Sequence, residues 1–347
     1  MRKGVFDRQW WEAGLGSLVL LVSVGFASDA LGTKYAGEFL AVGVSARAMG
    51  MGGAFVAVAD DASAAYWNPA GLAFIQTRTV LPEHSENFGG VVNYDDLAYV
   101  HPQTGGEHAS AFGIMVLRLA VQDIPDTRDL PYCDSTWCGG NENGQYDPGE
   151  RVWFDPSRIH WRTDSEVAVF LSYGRELRPG LAVGGTLKPI RKSFAEYSCF
   201  GFGADLGFLM RSENGVSVGI SLQDFFGTIL SWDTGTRETI TPNAHLGVAY
   251  QRGFESIETH LLLAVQTDIR FEGREFATQF NTGAASADFR AGMECTWRNL
   301  LALRLGTAEG NFTAGASLGM RGYWVDYAFL GHEYLDSSHR VSVRAHF

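Results

Sequence analysis

The sequence predicts an all-β protein: a transmembrane antiparallel β-barrel of about fourteen strands, with an N-terminal hatch inside the lumen. Three observations carry that prediction. Apolar residues alternate with glycine and charged residues along most of the chain. Tight and long connections alternate between the strands. The composition is rich in Gly (42) and in aromatic residues (23 Phe, 12 Tyr, 9 Trp), while only 19% of the 347 residues are charged. Gly and aromatics with few charges suit a membrane barrel, whereas a mean hydropathy near zero argues against a helical membrane bundle. A net charge of −12 without a Lys/Arg cluster argues against nucleic acid.

The chain opens with an export signal over residues 1–30. Arg2 and Lys3 supply positive charge, and Gly14 to Ala27 is an apolar run. That run is too short to span a bilayer as a helix and suits a signal peptide, with cleavage after Ala27 or Ala30. No other stretch reaches the roughly 18 apolar residues of a membrane helix.

Residues 31–73 do not alternate. Asp60 or Asp61 is placed to N-cap a short helix over Ala62–Trp67, and Pro69 suits the first turn of a second helix. Gly50, Gly52 and Gly53 permit bends and close backbone approach. The segment therefore reads as a compact plug. A lone charge in a lumen of reduced dielectric is costly, so Arg47 is expected to pair with Asp60 or Asp61, or with a lumen-facing Asp205 or Glu294.

From residue 74 onward the period is two. Phe200, Phe202, Ala204, Leu206, Phe208 and Met210 share a face opposite Gly201, Gly203, Asp205, Gly207 and Arg211, with Leu209 the exception. Phe289, Ala291, Met293, Cys295 and Trp297 likewise oppose Arg290, Gly292 and Glu294. Such strands put lipid on the apolar side and a polar or crowded lumen on the other. The runs lie near 74–81, 91–100, 108–121, 164–175, 181–190, 199–211, 216–224, 243–251, 258–270, 287–297, 300–308, 311–320, 323–332 and 339–347, so the barrel occupies residues 74–347. The longer connections are Pro82–Gly90, Gln122–Thr163, Phe225–Pro242 and Phe271–Ser286. Sorting of loops by length onto alternate turns distinguishes an outer-membrane barrel from a soluble sandwich. Within one of these loops, Asp224–Trp232 (DFFGTILSW) suits an aromatic girdle at the bilayer edge.

The last strand presents Val341, Val343, Ala345 and Phe347 on one face. A terminal aromatic on an amphipathic strand resembles the signal read by barrel-insertion machinery.

The run AGEFLAVGVSARAMGMGGAFVAVADDASAAYWNPAGLA, Ala36 to Ala73, resembles the N-terminal signature of PorV/PorQ-type (UPF0164) outer-membrane proteins. Those proteins belong to a FadL-like superfamily whose hatch carries a similar acidic pair followed by Asn-Pro-Ala, here Asp60, Asp61, Asn68, Pro69 and Ala70. The resemblance implies a non-enzymatic barrel in the bacterial outer membrane, surrounded by outer-membrane lipid. The PorV side implies a part in type IX-like protein secretion or surface assembly, with secreted cargo proteins and a sortase-like partner. The FadL side implies transport of long-chain fatty acids or other hydrophobic compounds.

The long loop 122–163 adds a second chemistry. Cys133 and Cys138 are close enough in sequence for a disulfide, favoured in an exported protein. Aligned on Gly144 as sixth position, Asn141, Asn143, Asp147 and Glu150 fall at positions three, five, nine and twelve of an EF-hand-type loop, and Gln145 offers a backbone carbonyl. Hard oxygens at that spacing point to Ca²⁺, although Gly139 stands where Asp is usual; Asp134 or Asp155 are substitutes. A plain polar loop with Asx turns is the alternative.

The motifs G-x-S-x-G around Ser217 and Ser317 lie within alternating strands. A hydrolase needs that motif on a strand-to-helix turn, so small residues packing against a plug explain it better.

Overall fold

The computed structural model describes residues 36–347, apart from 88, 134, 137–139, 154, 272–277, 284 and 333–336. The predicted signal segment and residues 31–35 of the predicted hatch lie outside the described residues.

Among the described residues, seventeen strands join one antiparallel sheet, and fourteen of them close into a barrel. The first seven run consecutively: β1 (Thr79–Asn87), β2 (Val92–Gln103), β3 (Ser110–Asp126), β4 (His160–Arg178), β5 (Leu181–Phe194), β6 (Tyr197–Arg211) and β7 (Val216–Gln223). The wall continues through β10 (Asn243–Phe254), β11 (Thr259–Arg270), β13 (Ser286–Trp297), β14 (Leu301–Ala308), β15 (Asn311–Met320), β16 (Tyr323–Leu330) and β17 (Ser338–His346). Pairing of β17 with β1, from Thr79↔His346 to Glu86↔His339, shuts the ring. Closure matters because a lipid-exposed strand edge would leave backbone groups without partners.

The alternation is inside-out relative to a soluble protein. Phe200, Phe202, Leu206, Phe289, Phe312 and Leu318 are exposed on the outer face, whereas Asp205, Asp268, Arg290, Glu294, Arg304 and Asp326 are buried on the inner one. Leu209, the exception in the pattern of β6, points inward and packs on Ala70 and Ala73 of the hatch.

Three boundaries differ from the sequence expectation. The first strand starts at Thr79 and not at residue 74, because Pro69–Phe74 forms a 3₁₀ helix that belongs to the hatch. Pro82 then sits inside β1, and the expected long connection Pro82–Gly90 shrinks to a turn. The expected loop 122–163 is shorter too: the β3–β4 ladder continues across a bulge between Val121 and Ile124 to Asp126↔His160.

The expected loop 225–242 contains a hairpin of β8 (Thr228–Trp232) and β9 (Arg237–Ile240). Its cause lies in strand lengths. Within the wall, β7 covers only Leu206 to Arg211 of the longer β6, and β8 takes over Cys199 to Phe202. The C-terminal half of DFFGTILSW is thus a strand, with Phe226 before it exposed and Leu230 within it buried. Length sorting of the connections is incomplete, since β5–β6 and β14–β15 close tightly at the rim that carries the long loops.

Candidate functional site: the hatch and the pocket beside it

Residues 36–75 fill the barrel interior as three short α-helices, Glu38–Ala41, Ala46–Gly50 and Ala64–Trp67, followed by the 3₁₀ helix Pro69–Phe74. Glycines on the inner face of the wall let the hatch backbone touch it. A Cβ at Gly184 would overlap the backbone of Pro69 and Ala70, one at Gly219 the Val56 carbonyl, and one at Gly292 the Met51 carbonyl. At Gly52, φ is +68° and an added Cβ would meet the Thr307 backbone, so both conformation and space require glycine there.

Arg47 is the electrostatic anchor. Its Nε and one terminal nitrogen donate to the two Glu294 oxygens, each at 2.9 Å. The other terminal nitrogen donates to Asp60 at 2.5 Å and to Asp61 at 3.3 Å. Its guanidinium also lies 5.3 Å from the Phe55 ring centroid, a cation–π contact. Of the four partners expected from sequence, three surround it. The fourth, Asp205, instead accepts from Lys188 Nζ at 3.0 Å, which is also 2.8 Å from Asp224.

Asp60 sits on the hatch rather than on a strand. Burial pushes its carboxyl up, but the Arg47 guanidinium more than offsets this and holds it below the usual range. Neither acidic residue caps the helix as expected. Asp61 Oδ1 accepts from the Ser63 N–H at 2.9 Å, forming an Asx turn before a helix that begins only at Ala64.

Asn-Pro-Ala acts as a rivet. The Asn68 amide donates to Val56 O at 2.9 Å within the hatch and to Phe208 O at 3.0 Å in β6. Its Oδ1 accepts from Ala70 N at 3.2 Å, and Pro69 starts the 3₁₀ helix, where the missing N–H costs nothing.

A small pocket of about 40 Å³ lies between hatch and wall. Leu40, Trp67 and Ile240 give it apolar sides, while His245, Asp268 and Arg290 give it a polar floor. His245 Nδ1 is 2.7 Å from Asp268, which also accepts from Arg290 Nε at 2.6 Å. Gln266 ties this floor to the hatch by accepting the Phe55 and Val56 N–H groups at 3.0 and 2.9 Å. The space holds roughly two or three waters, so a larger guest requires the hatch or the β8–β9 hairpin to move. Sequence reading did not single out Lys188, Ile240, His245 or Arg290 as site residues. A charge on the glycine-bearing face of an alternating strand is the signal that finds Lys188, Asp268 and Arg290.

The remaining sequence candidates fall elsewhere. Ser317 is no nucleophile elbow: it lies within β15, where its hydroxyl accepts from Arg304 at 2.5 Å and donates to Asp326 on the neighbouring β16. On β17, Val341 is exposed, with Val343 and Ala345 half-buried beside it, and Phe347, one residue past the strand, is exposed.

In the long loop, Cys133 is disulfide-bonded, while its expected partner Cys138 lies outside the described residues, as do Asp134 and Gly139. Cys199 and Cys295 are free thiols. Asn141 and Asn143 amides both donate to Asp147 Oδ2, at 2.6 and 2.7 Å. Gln145 N–H bonds Asn143 Oδ1 at 2.7 Å, and Gly144 has φ +78°, as a sharp bend at the sixth position demands. Glu150 accepts from Asp147 N–H at 3.1 Å through one oxygen; the other is buried without a hydrogen-bond partner among the described residues. Asp155 is occupied otherwise, accepting from Ser157 N–H and hydroxyl, which hold its carboxyl below the usual range.

No protein-family model matches the sequence, and no curated protein matches it. Solved structures do match. The toluene transporter TbuX of Ralstonia pickettii superposes with a TM-score of 0.56 at 13% identity, covering 88% of this chain and 98% of that one. The barrel architecture is shared with that transporter. The CymD monoaromatic hydrocarbon channel gives 0.54 at 13% identity over 88% and 98%, and the toluene transporter TodX of P. putida 0.53 at 12% over 88% and 99%. At such identities the likeness concerns architecture, and residue roles have to come from this chain.

Proposed function

We propose that this barrel passes hydrophobic compounds, such as monoaromatic hydrocarbons or long-chain fatty acids, across the bacterial outer membrane. The observation carrying this reading is the architecture shared with toluene transporters over nearly nine-tenths of the chain. The hatch–wall pocket supports it, because an apolar side with a few convergent polar groups is the general form of a small-molecule site. The guest enters beneath the β8–β9 hairpin, rests against Trp67 and Ile240, and leaves as the hatch shifts. PorV-type secretion rests on the motif of residues 36–73 alone, and the matched structures described above give it no support.

Cells expressing the protein are expected to take up radiolabelled toluene or oleate faster than cells with an empty vector. Ile240→Ser, which makes the pocket wall polar, should lower that uptake without lowering the amount of inserted barrel. Equal uptake in all three strains sinks the proposal.

We also propose that the last strand and the Phe347 that follows it serve insertion into the outer membrane, and that Asn141, Asn143, Gln145, Asp147 and Glu150 bind Ca²⁺ beside the Cys133 disulfide. The buried Glu150 oxygen, which has no hydrogen-bond partner among the described residues, is the observation favouring a cation over a plain polar loop. With two carboxylates the affinity should be low, in the ~10⁻⁴–10⁻³ M range of extracellular modules. Protease cleavage of this loop on whole cells should accelerate several-fold when a chelator is added, and Glu150→Ala should be cleaved fast in either condition. Cleavage that ignores the chelator leaves an ordinary polar loop.

A further inference from the structure

Three adjacent strands bring unpartnered oxygens together on the lumen face. Cross-strand register sets Asp96 of β2 opposite Glu83 of β1, and Glu83 opposite Ser342 of β17. All three side chains are buried: Asp96 and Glu83 are 5% exposed and Ser342 1%. Neither Asp96 oxygen has a hydrogen-bond partner among the described residues, nor has Glu83 Oε2 or Ser342 Oγ.

The charges do not balance either. Glu83 Oε1 accepts from Arg340 at 3.1 Å. The other bonds of Arg340 go to the hatch carbonyls of Gly43 and Val42, at 2.7 and 2.8 Å, and its guanidinium lies 5.4 Å from the Tyr94 ring centroid. One cation therefore faces two carboxylates, and Asp96 is left with neither an ion pair nor a hydrogen bond among the described residues. A buried carboxylate in that position is strongly unfavourable.

Three occupants offer relief. Water supplies hydrogen bonds but no charge. A proton removes the charge, but neither Asp96 oxygen has a hydrogen-bond partner among the described residues to receive its O–H. A small hard cation supplies both, since carboxylates and hydroxyls are its preferred ligands. A monovalent ion balances the single excess charge, whereas a divalent one overshoots it.

We infer that Asp96, Glu83 and Ser342 bind a monovalent alkali cation, beside the point where Arg340 grips the hatch. The ion neutralises Asp96 and leaves Arg340 free to hold Val42 and Gly43. Cation binding and hatch seating are thereby coupled.

The test is thermal unfolding of the purified full chain in detergent, in sodium chloride and in choline chloride of equal ionic strength. Sodium should raise the melting temperature of the wild-type protein by several degrees over choline. Asp96→Asn removes the excess charge, so it should melt in choline no lower than wild type and gain nothing from sodium. Ser342→Ala keeps both carboxylates and should shift the sodium titration midpoint to higher concentration. In crystals soaked in rubidium, an anomalous peak is expected between Asp96 and Glu83. Equal wild-type melting in both salts overturns the inference, as does a sodium response that survives in Asp96→Asn. Stabilisation by acid without stabilisation by sodium assigns a proton to the site and equally overturns it.

Discussion

Arg47→Ala is expected to unseat the hatch. The substitution strands Glu294 and Asp61, both buried, while Asp60 is part-exposed and can turn to water. Removing one partner of a buried ion pair costs roughly 3–5 kcal/mol. The lower end applies here, because Glu294 keeps its 2.6 Å contact with Arg304. Thermal unfolding of the purified barrel should report the loss, and planar-bilayer recordings should show a rise in conductance. Unchanged melting and unchanged conductance together refute the anchoring role. Acid should mimic the substitution only at low pH. The Asp60 carboxyl lies below its ordinary value in the folded state, so its contribution is fully present above the unfolded value and is lost as pH falls through the depressed one.

Two adjacent glycines on β5 supply the second large effect, with an internal control. At Gly184 a Cβ would overlap backbone atoms of Pro69 and Ala70, which cannot rotate aside. At Gly185, on the other face, the nearest atom to such a Cβ would be Asp205 O at 3.6 Å, an ordinary contact. Overpacking costs about 1–3 kcal/mol when side chains can yield, and more when backbone must move. Gly184→Ala should therefore lower the melting temperature by several degrees and loosen the hatch, whereas Gly185→Ala should be near neutral. Equal effects at the two positions would mean that the hatch does not press on the wall.

The barrel was legible because membrane strands obey a strict two-residue period, and that period survives without knowledge of partners. Phe200 and Gly201 declare their faces on their own. Partners of Arg47 were also foreseeable, since a guanidinium inside a lumen needs carboxylates and few are near. What sequence could not settle was which carboxylate. Asp205 and Glu294 look alike in their strands, and only the barrel's circumference puts Glu294 beside the hatch helix and Asp205 beside Lys188. The β8–β9 hairpin escaped for a related reason. Its strands form because β7 stops short of the end of β6, and strand length is set by the neighbour rather than by Thr228–Trp232 itself. The pocket was hidden too: Ile240, His245 and Leu40 come from distant segments, and nothing local in any of them marks a site.

The most direct test of a hatch-closed channel for hydrophobic compounds compares two solutes of similar size in one expressing strain. One is radiolabelled toluene and the other a charged, water-soluble aromatic such as benzoate. Uptake of toluene should exceed the empty-vector rate while uptake of benzoate stays at it, because the pocket proposed to take the guest has apolar sides. Equal acceleration of both solutes, or of neither, would contradict the account.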